Sequence, residues 1–155
     1  MNEGIWESAI KNLQIAMRIH RMQPEFNLAM GQCYMEQGKI EEAVQYFGNV
    51  VRTKPKSQAG WKALIRCLIE AGFMEEAREQ CVTAMNVTVN KPIFIFYFSA
   101  ILFYLGKSKE GLLQLEKAME KAPKLLKKFI EINPSILQNS QVVDVVARYK
   151  KGRKL

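Results

Sequence analysis

The sequence has few of the side chains that catalysis and metal binding require. It contains one histidine and three cysteines among 155 residues, and these do not stand at the spacing of a metal site. The histidine, His20, has arginines nearby but no carboxylate or cysteine at a catalytic spacing, so we interpret it as a surface residue. These absences predict no catalytic residue, no metal and no cofactor, and therefore a protein that is not an enzyme.

Long apolar runs and alternating patterns are missing as well. The most apolar stretch, from Pro92 to Leu105, has about 14 residues, whereas a membrane-spanning helix needs about 20. No stretch alternates between apolar and polar residues as a half-buried strand does. We therefore predict no transmembrane segment and no strands. The odd number of cysteines argues against a disulfide framework and fits a reducing compartment, so we expect the cytoplasm.

The sequence does have an internal repeat of 34 residues. Self-similarity at a period of this length is typical of stacked helical units, none of which can bury its apolar face without a neighbour. Each repeat is marked by a glycine that is followed five residues later by a small residue. These pairs are Gly4 and Ala9, Gly38 and Ala43, Gly72 and Ala77, and Gly106 and Gly111.

The best-preserved unit, residues 24–57, indicates the type of repeat. It opens at Pro24, closes with Pro55 and contains Met30, Gly31, Tyr34, Gly38, Ala43 and Phe47. This unit resembles the tetratricopeptide repeat. The resemblance covers roughly residues 4–125. It implies an all-α fold, an α-α superhelix in which antiparallel helix pairs form a solenoid, with a C-terminal helical cap.

The other units depart from the family pattern. In residues 58–91, Ile65 replaces the usual small residue and Val89 replaces the late proline. In residues 92–125, Gly111 stands where alanine is usual. The first unit matches only the second half of a repeat, so we expect the chain to be the C-terminal part of a longer array.

The repeat also predicts boundaries. We expect repeats over residues 1–125, comprising a half repeat 4–23 and repeats 24–57, 58–91 and 92–125, followed by a helical extension and basic tail over 126–155. The glycines at 38, 72 and 106 should end the first helix of each pair in the left-handed conformation. Helices are expected over 5–20, 24–37, 41–54, 58–71, 75–88, 92–105, 109–121, 124–132 and 141–150, with ends good to two to four residues.

The resemblance places function in a concave groove. Some family members clamp the C-terminal carboxylate of a peptide there with lysine, asparagine and arginine. Those positions here hold Leu28, Gln32, Ala63, Ile93 and Tyr97, so we predict no such clamp. The residues that we expect to line the partner-binding groove are Leu28, Gln32, Met35, Lys62, Arg66, Ile69, Phe96, Tyr97, Phe103 and Tyr104. Glu36, Ala63 and Glu70 also face the groove by this resemblance.

The C-terminal end of this groove is aromatic, and two interpretations of it are open. An exposed patch of Phe96, Tyr97, Phe103 and Tyr104 would be unusually large for a soluble monomer, so the helices of residues 124–150 could fold back to cover it. Alternatively, the patch is open and its rings anchor an extended segment or a helix of another protein.

The charge distribution suggests a second class of function. Residues 117–155 hold 10 Lys and Arg against 3 Asp and Glu, a net charge of +7 within the +8 of the whole chain. Such an excess could contact phosphate backbones or an anionic lipid surface, or could simply keep the chain soluble. No interleaved aromatic residues or nucleic-acid motif accompany it, which weighs against nucleic acid.

The sequence therefore predicts a non-catalytic scaffold or adaptor whose partner is another protein, bound as a peptide or helix in the groove. The alternative is binding of nucleic acid or an anionic surface through the basic C-terminal segment. Self-association through the first helix is a further expectation, because that helix begins abruptly with Ile5 and Trp6.

Overall fold

The computed structural model describes residues 3–19 and 23–153, and every regular element within them is a helix. The predicted all-α class is therefore confirmed, and each predicted helix is present with its ends inside the expected margin; His20 lies outside the described residues. The helices are α1 (Glu3–Ile19), α2 (Pro24–Glu36), α3 (Ile40–Thr53), α4 (Gln58–Glu70), α5 (Met74–Val87), α6 (Pro92–Tyr104), α7 (Ser108–Lys121), α8 (Leu126–Ile132) and α9 (Ser140–Arg153). Short 3-10 helices at Pro123–Leu125 and Pro134–Gln138 precede α8 and α9.

The chain divides into two compact units, Met1–Phe73 and Met74–Leu155. The first unit contains α1–α4, and the second contains α5–α9. The predicted repeat boundaries stay a prediction. Among the described residues, none of the helices has the length and hydropathy of a membrane span.

In the first unit, each helix packs on the next one in the chain. Ile10 of α1 is buried with Met30 and Cys33 of α2, and Trp6 and Leu13 pack against the same cluster. The rings of Tyr34 and Tyr46 stack between α2 and α3, with centroids 5.4 Å apart. Burial of these apolar side chains holds α1, α2 and α3 together, because the removal of apolar area from water favours the packed state.

Glycines allow the helices of the first unit to approach closely. A Cβ at Gly31 of α2 would lie 2.4 Å from the Phe47 ring of α3, and one at Gly60 of α4 would lie 2.6 Å from Val50 of α3. Real Cβ atoms do not come so close to other atoms, so only glycine fits at these two positions. The absence of a side chain at Gly31 thus allows α2 and α3 to cross closely.

A polar contact between α2 and α3 lies inside the same unit. Asn27 is buried, and its side chain donates a hydrogen bond to the Gln23 carbonyl at 3.1 Å and accepts one from Asn49 at 3.2 Å. A buried amide without partners would cost about 1–3 kcal/mol, so these bonds remove a penalty that burial would otherwise impose.

Left-handed glycines end the first helix of three pairs, as predicted. Gly38, Gly72 and Gly106 have φ values of 73°, 84° and 77°. The residue after each glycine donates its N–H to a carbonyl five residues back, which closes the helix end in the manner of a Schellman turn. These bonds are Lys39 to Tyr34 at 2.9 Å, Phe73 to Leu68 at 2.9 Å and Lys107 to Leu102 at 2.8 Å.

Val89 occupies the same position at the end of α5 without being a glycine. Its φ is 56°, and the next residue, Asn90, donates its N–H to the Met85 carbonyl at 2.7 Å. A β-branched residue is strained in this conformation, because its Cβ substituents crowd the backbone. The Val89 side chain is 82% exposed, so burial of its apolar surface offsets little of that strain.

In the second unit, α6 is buried on nearly every side and contacts α5, α7 and α8. Phe96 of α6, Leu115 of α7, Phe129 of α8 and Val142 of α9 belong to one core cluster. A helix that is apolar all round is expected to be buried all round, which is the environment that the other helices of this unit provide. The helices after residue 123 are therefore part of the core of this unit.

The structure also explains why Gly111 stands where alanine is usual. A Cβ there would lie 2.9 Å from the Phe103 ring of α6, so the ring occupies the space of the missing side chain. Ser99 of α6 donates a hydrogen bond to the Gly111 carbonyl at 2.7 Å and ties the two helices at the same point.

We predict opposite effects from the same substitution at two glycines of the first unit. Gly31→Ala should lower the free energy of unfolding by about 1–3 kcal/mol, because the new methyl group overlaps the Phe47 ring. Gly48→Ala should raise it by up to about 1 kcal/mol, since Gly48 lies in α3 with its nearest neighbour 3.8 Å away and alanine favours helices. Urea unfolding of both variants measures the two effects. Equal effects at the two positions would contradict the packing assigned to Gly31.

A second pair of substitutions tests the strain at Val89. Val89→Gly should raise the free energy of unfolding by up to about 1 kcal/mol, because glycine adopts the left-handed conformation without a steric penalty. Val143→Gly is the matched control: Val143 is 44% exposed inside α9, where glycine should cost up to about 1 kcal/mol. Thermal unfolding of both variants compares the two. Destabilisation by Val89→Gly would show that Val89 is not strained.

Candidate partner-binding cleft

A cleft of about 500 Å³ lies in the first unit. Its walls come from α2 and α4, which are the first helices of two predicted pairs, and α3 closes its base. The lining residues are Gln32, Met35 and Glu36 of α2, Phe47 of α3, and Lys62, Ala63, Arg66, Cys67 and Glu70 of α4. We call this group of nine residues the α2–α4 cleft.

The base of the α2–α4 cleft is apolar. Phe47 and Cys67 are buried, while Met35 and Ala63 are half-buried and remain partly accessible from the cleft. Gly31 allows the Phe47 ring to sit against α2, so the close crossing of α2 and α3 also fixes the base of the cleft. The other five lining residues are polar or charged, so the cleft combines an apolar base with polar walls.

The walls carry two positive and two negative side chains. Lys62, Arg66 and Glu70 follow one another at single-turn spacing along α4, and such residues share one face of a helix. Among the described residues, neither Lys62 nor Arg66 forms an ion pair with a carboxylate. Glu36, on the opposite wall, accepts a hydrogen bond from Gln32 at 3.0 Å. The Lys62 and Arg66 side chains are thus available to pair with an acidic side chain of another protein.

The Cys67 thiol at the base is a packing group. Burial and, to a smaller extent, the negative charge of Glu70 together raise its pKa to about 11. A thiol with such a pKa is protonated near neutral pH, and only the thiolate is a good nucleophile. Within the described residues, no group of three or more His, Cys, Asp or Glu side chains could hold a metal ion.

Four of the ten groove residues predicted from the sequence come together in this cleft: Gln32, Met35, Lys62 and Arg66. Leu28 lies half-buried on α2 outside the lining residues. Ile69 is buried, with 8% of its surface exposed, so it belongs to the core in this structure. We therefore omit Ile69 from the proposed site.

The four aromatic groove residues lie in the second unit, and most of them are core residues. Phe96 and Tyr97 are buried, and the Phe129 ring of α8 lies 6.1 Å from that of Phe96 and 6.5 Å from that of Phe103. This packing corresponds to the interpretation in which the C-terminal helices cover the aromatic residues. Tyr104 is 44% exposed, and its hydroxyl donates a hydrogen bond to the Ile132 carbonyl at 3.2 Å.

The groove residues that the sequence did not suggest are Phe47 and Cys67. Both are buried, yet one side of each faces the cleft. The glycine at position 31 was the available signal, because a missing side chain opposite Phe47 indicates where the ring must lie.

The first helix presents part of its surface without a covering helix in the described residues. Ile5 and Ile15 are 62% and 56% exposed on α1. Self-association through this helix stays a prediction.

We predict that the three cysteines resist alkylation in the folded protein. Cys33, Cys67 and Cys81 are free and buried, and burial raises the pKa of all three thiols. Iodoacetamide at about pH 8 should leave them unmodified in the native state and modify all three in urea, as read by mass spectrometry. Rapid native modification of Cys67 would contradict the burial and the raised pKa of its thiol.

The raised pKa of Cys67 also predicts how the free energy of unfolding changes with pH. The folded-state pKa of Cys67, about 11, lies above its ordinary value of 9.0. Between these two values, the unfolded chain loses the thiol proton while the folded chain keeps it, so this thiol should lower the free energy of unfolding as pH rises from 9 to 11. A Cys67→Ser variant compared with the wild type across this range isolates the contribution of Cys67. A decline of equal slope in both proteins would contradict it.

Comparison with known proteins supports the predicted fold. A family model described as tetratricopeptide repeat matches residues 35–91, which include most of the α2–α4 cleft. The crystal structure of MamA is similar over 97% of this chain and 90% of that chain, with 14% identity and a TM-score of 0.72. That of TTC0263, a thermophilic TPR protein in Thermus thermophilus, is similar over 98% and 92%, with 16% identity and a TM-score of 0.63.

No curated protein matches the sequence. At identities of 14% and 16%, the structural likeness shows the fold alone. Residues 35–91 thus match the tetratricopeptide-repeat model, and the chain has the all-α solenoid fold of a known tetratricopeptide-repeat protein.

Proposed function

We propose that the chain is a non-catalytic scaffold or adaptor that binds a short segment of another protein in the α2–α4 cleft. The tetratricopeptide fold supports a role in protein interaction in general. The observation that favours this particular site is the combination of an apolar base with two cations, Lys62 and Arg66, that have no ion-pair partner among the described residues.

The cleft is built on packed helices, which favours binding. The contact between Gly31 and Phe47 and the capping bonds at Gly38 and Gly72 fix the backbone of its walls. A receptor surface that is ordered before binding loses little conformational entropy when the partner arrives, so more of the contact energy appears as affinity.

The charges of the cleft indicate the chemistry of the partner. Lys62 and Arg66 should attract one acidic side chain, while Met35 and Ala63 offer an apolar surface next to it. Glu36 and Glu70 would repel a segment with many acidic residues, and charges of this kind act mainly on specificity. We therefore infer a segment in which an apolar anchor lies close to a single aspartate or glutamate.

The proposed compartment is the cytoplasm, which the three free cysteines support. The proposal requires no metal, cofactor or catalytic residue.

Selection from a random peptide library displayed on phage tests this proposal. The wild-type chain should enrich peptides that combine an apolar anchor with one acidic residue. Lys62→Glu combined with Arg66→Glu should reduce their binding by at least about tenfold, since each charge pair at a binding surface contributes about 1 kcal/mol or more. The control is Lys11→Glu with Lys56→Glu, which makes the same change of net charge at exposed positions outside the cleft.

Two results would contradict the proposal. One is the absence of any enriched peptide family. The other is equal binding of the enriched peptides to the cleft variant and to the control variant, which would place recognition elsewhere on the chain.

A further inference from the structure

The acidic residues near the end of α7 are all engaged by other side chains. Residues 116–131 contain three acids. Arg148 of α9 binds Glu116 at 2.9 Å, the Tyr149 hydroxyl lies 3.3 Å from the Glu120 carboxylate, and Lys128 pairs with Glu131 at 3.6 Å. The three carboxylates of this segment therefore already have partners within the second unit.

The other lysines around these acids have no ion-pair partner among the described residues. Lys117, Lys121, Lys124 and Lys127 are exposed, and none forms an ion pair with any carboxylate in the described part of the chain. Lys150 follows Tyr149 directly, and the contacts of Arg148 and Tyr149 hold that end of α9 against α7. We call these five residues the lysine face.

An exposed leucine lies on the same side of α7 as two residues of the lysine face. Leu113 is 52% exposed and stands one turn before Lys117, which stands one turn before Lys121, so the three share one side of α7. Lys124 continues the positive charge in the following 3-10 helix, Pro123–Leu125.

We propose that the lysine face docks on an anionic phospholipid bilayer. Clusters of four to eight basic residues are attracted to anionic headgroups, and each lysine near the surface contributes about a fivefold gain in binding. The Leu113 side chain can enter the boundary between headgroups and acyl chains, where an apolar group is favoured. This surface lies in the second unit, so the proposal is independent of the α2–α4 cleft.

The same residues fit nucleic acid less well. Single-stranded nucleic acid is bound on aromatic side chains that stack with bases, and the aromatic residue at this surface, Tyr149, is half-buried against α7. Sequence-specific contact with duplex bases relies largely on arginine and amide side chains, whereas the lysine face has only lysines, and Arg148 is paired with Glu116.

Co-sedimentation of the full chain with vesicles tests the proposal. Vesicles of phosphatidylcholine with about 30% phosphatidylserine should bind the chain at least about 100-fold more tightly than phosphatidylcholine alone at about 0.1 M salt, since five lysines contribute about fivefold each. Lys117→Gln with Lys121→Gln should weaken this binding about 25-fold, at about fivefold per lysine. Lys11→Gln with Lys56→Gln, a matched loss of charge in the first unit, should change it less than about threefold.

A second variant separates insertion from charge. Leu113→Ser leaves the net charge unchanged and should weaken binding by about threefold or more, because less apolar area leaves water. Lys124→Gln with Lys127→Gln changes two lysines outside α7, and this variant keeps the proposal testable if the α7 variant does not fold. It is expected to weaken binding about 25-fold as well.

Three outcomes would overturn the proposal. The first is equal binding to the two kinds of vesicle. The second is equal loss in the lysine-face variants and in the Lys11 and Lys56 control, which would show a response to net charge alone. The third is tighter binding to a duplex of about 20 base pairs than to the anionic vesicles, which would assign the face to nucleic acid.

Discussion

Neighbouring helices of this chain come close together at glycines, which have no side chain to hold the helices apart. At Gly31, the Phe47 ring of the next helix occupies the space of a Cβ, and at Gly111 the Phe103 ring of the preceding helix does the same. Gly60 has the corresponding relation to Val50. These contacts set the spacing of α2, α3 and α4 in the first unit and of α6 and α7 in the second. The surface features of each unit depend on that spacing.

The cleft in the first unit is a direct consequence. The Phe47 ring can form its base only because Gly31 admits the ring against α2, and α4 approaches α3 only because Gly60 admits Val50. The left-handed turns at Gly38 and Gly72 then end α2 and α4, the two helices that form the walls of the cleft. The charges of Lys62 and Arg66 face outward over an apolar base whose shape is set by backbone packing.

Much of the fold could be predicted, because glycines and small residues recur in the sequence at a period of 34 residues. Such residues recur where the backbone needs a left-handed turn or where two helices pack closely. The left-handed turns at Gly38, Gly72 and Gly106 are an example, since glycine adopts that conformation without strain. Val89 could not be recognised as a fourth such residue, because valine gives no hint of a positive φ. Its conformation depends on the capping bond of Asn90 at the end of α5.

The site was less accessible to sequence reasoning. Helix α6 is apolar on all sides, so its periodicity could not distinguish groove-facing from core residues, and Phe96 and Tyr97 prove to be buried. The position of Phe129 against Phe96 and Phe103 depends on how residues after 123 fold back, where the repeat no longer guides a prediction. In the first unit, by contrast, α2 and α4 each have polar residues on one face, and four of the predicted residues, Gln32, Met35, Lys62 and Arg66, lie together in the α2–α4 cleft.

NMR chemical shifts of the ¹⁵N-labelled chain, titrated with a peptide that it selects, would locate the partner-binding surface. The shifted amides should concentrate in residues 31–36, 47 and 62–70, around the α2–α4 cleft. Shifts that concentrate in the second unit, or on helix faces away from these residues, would contradict this location of the site.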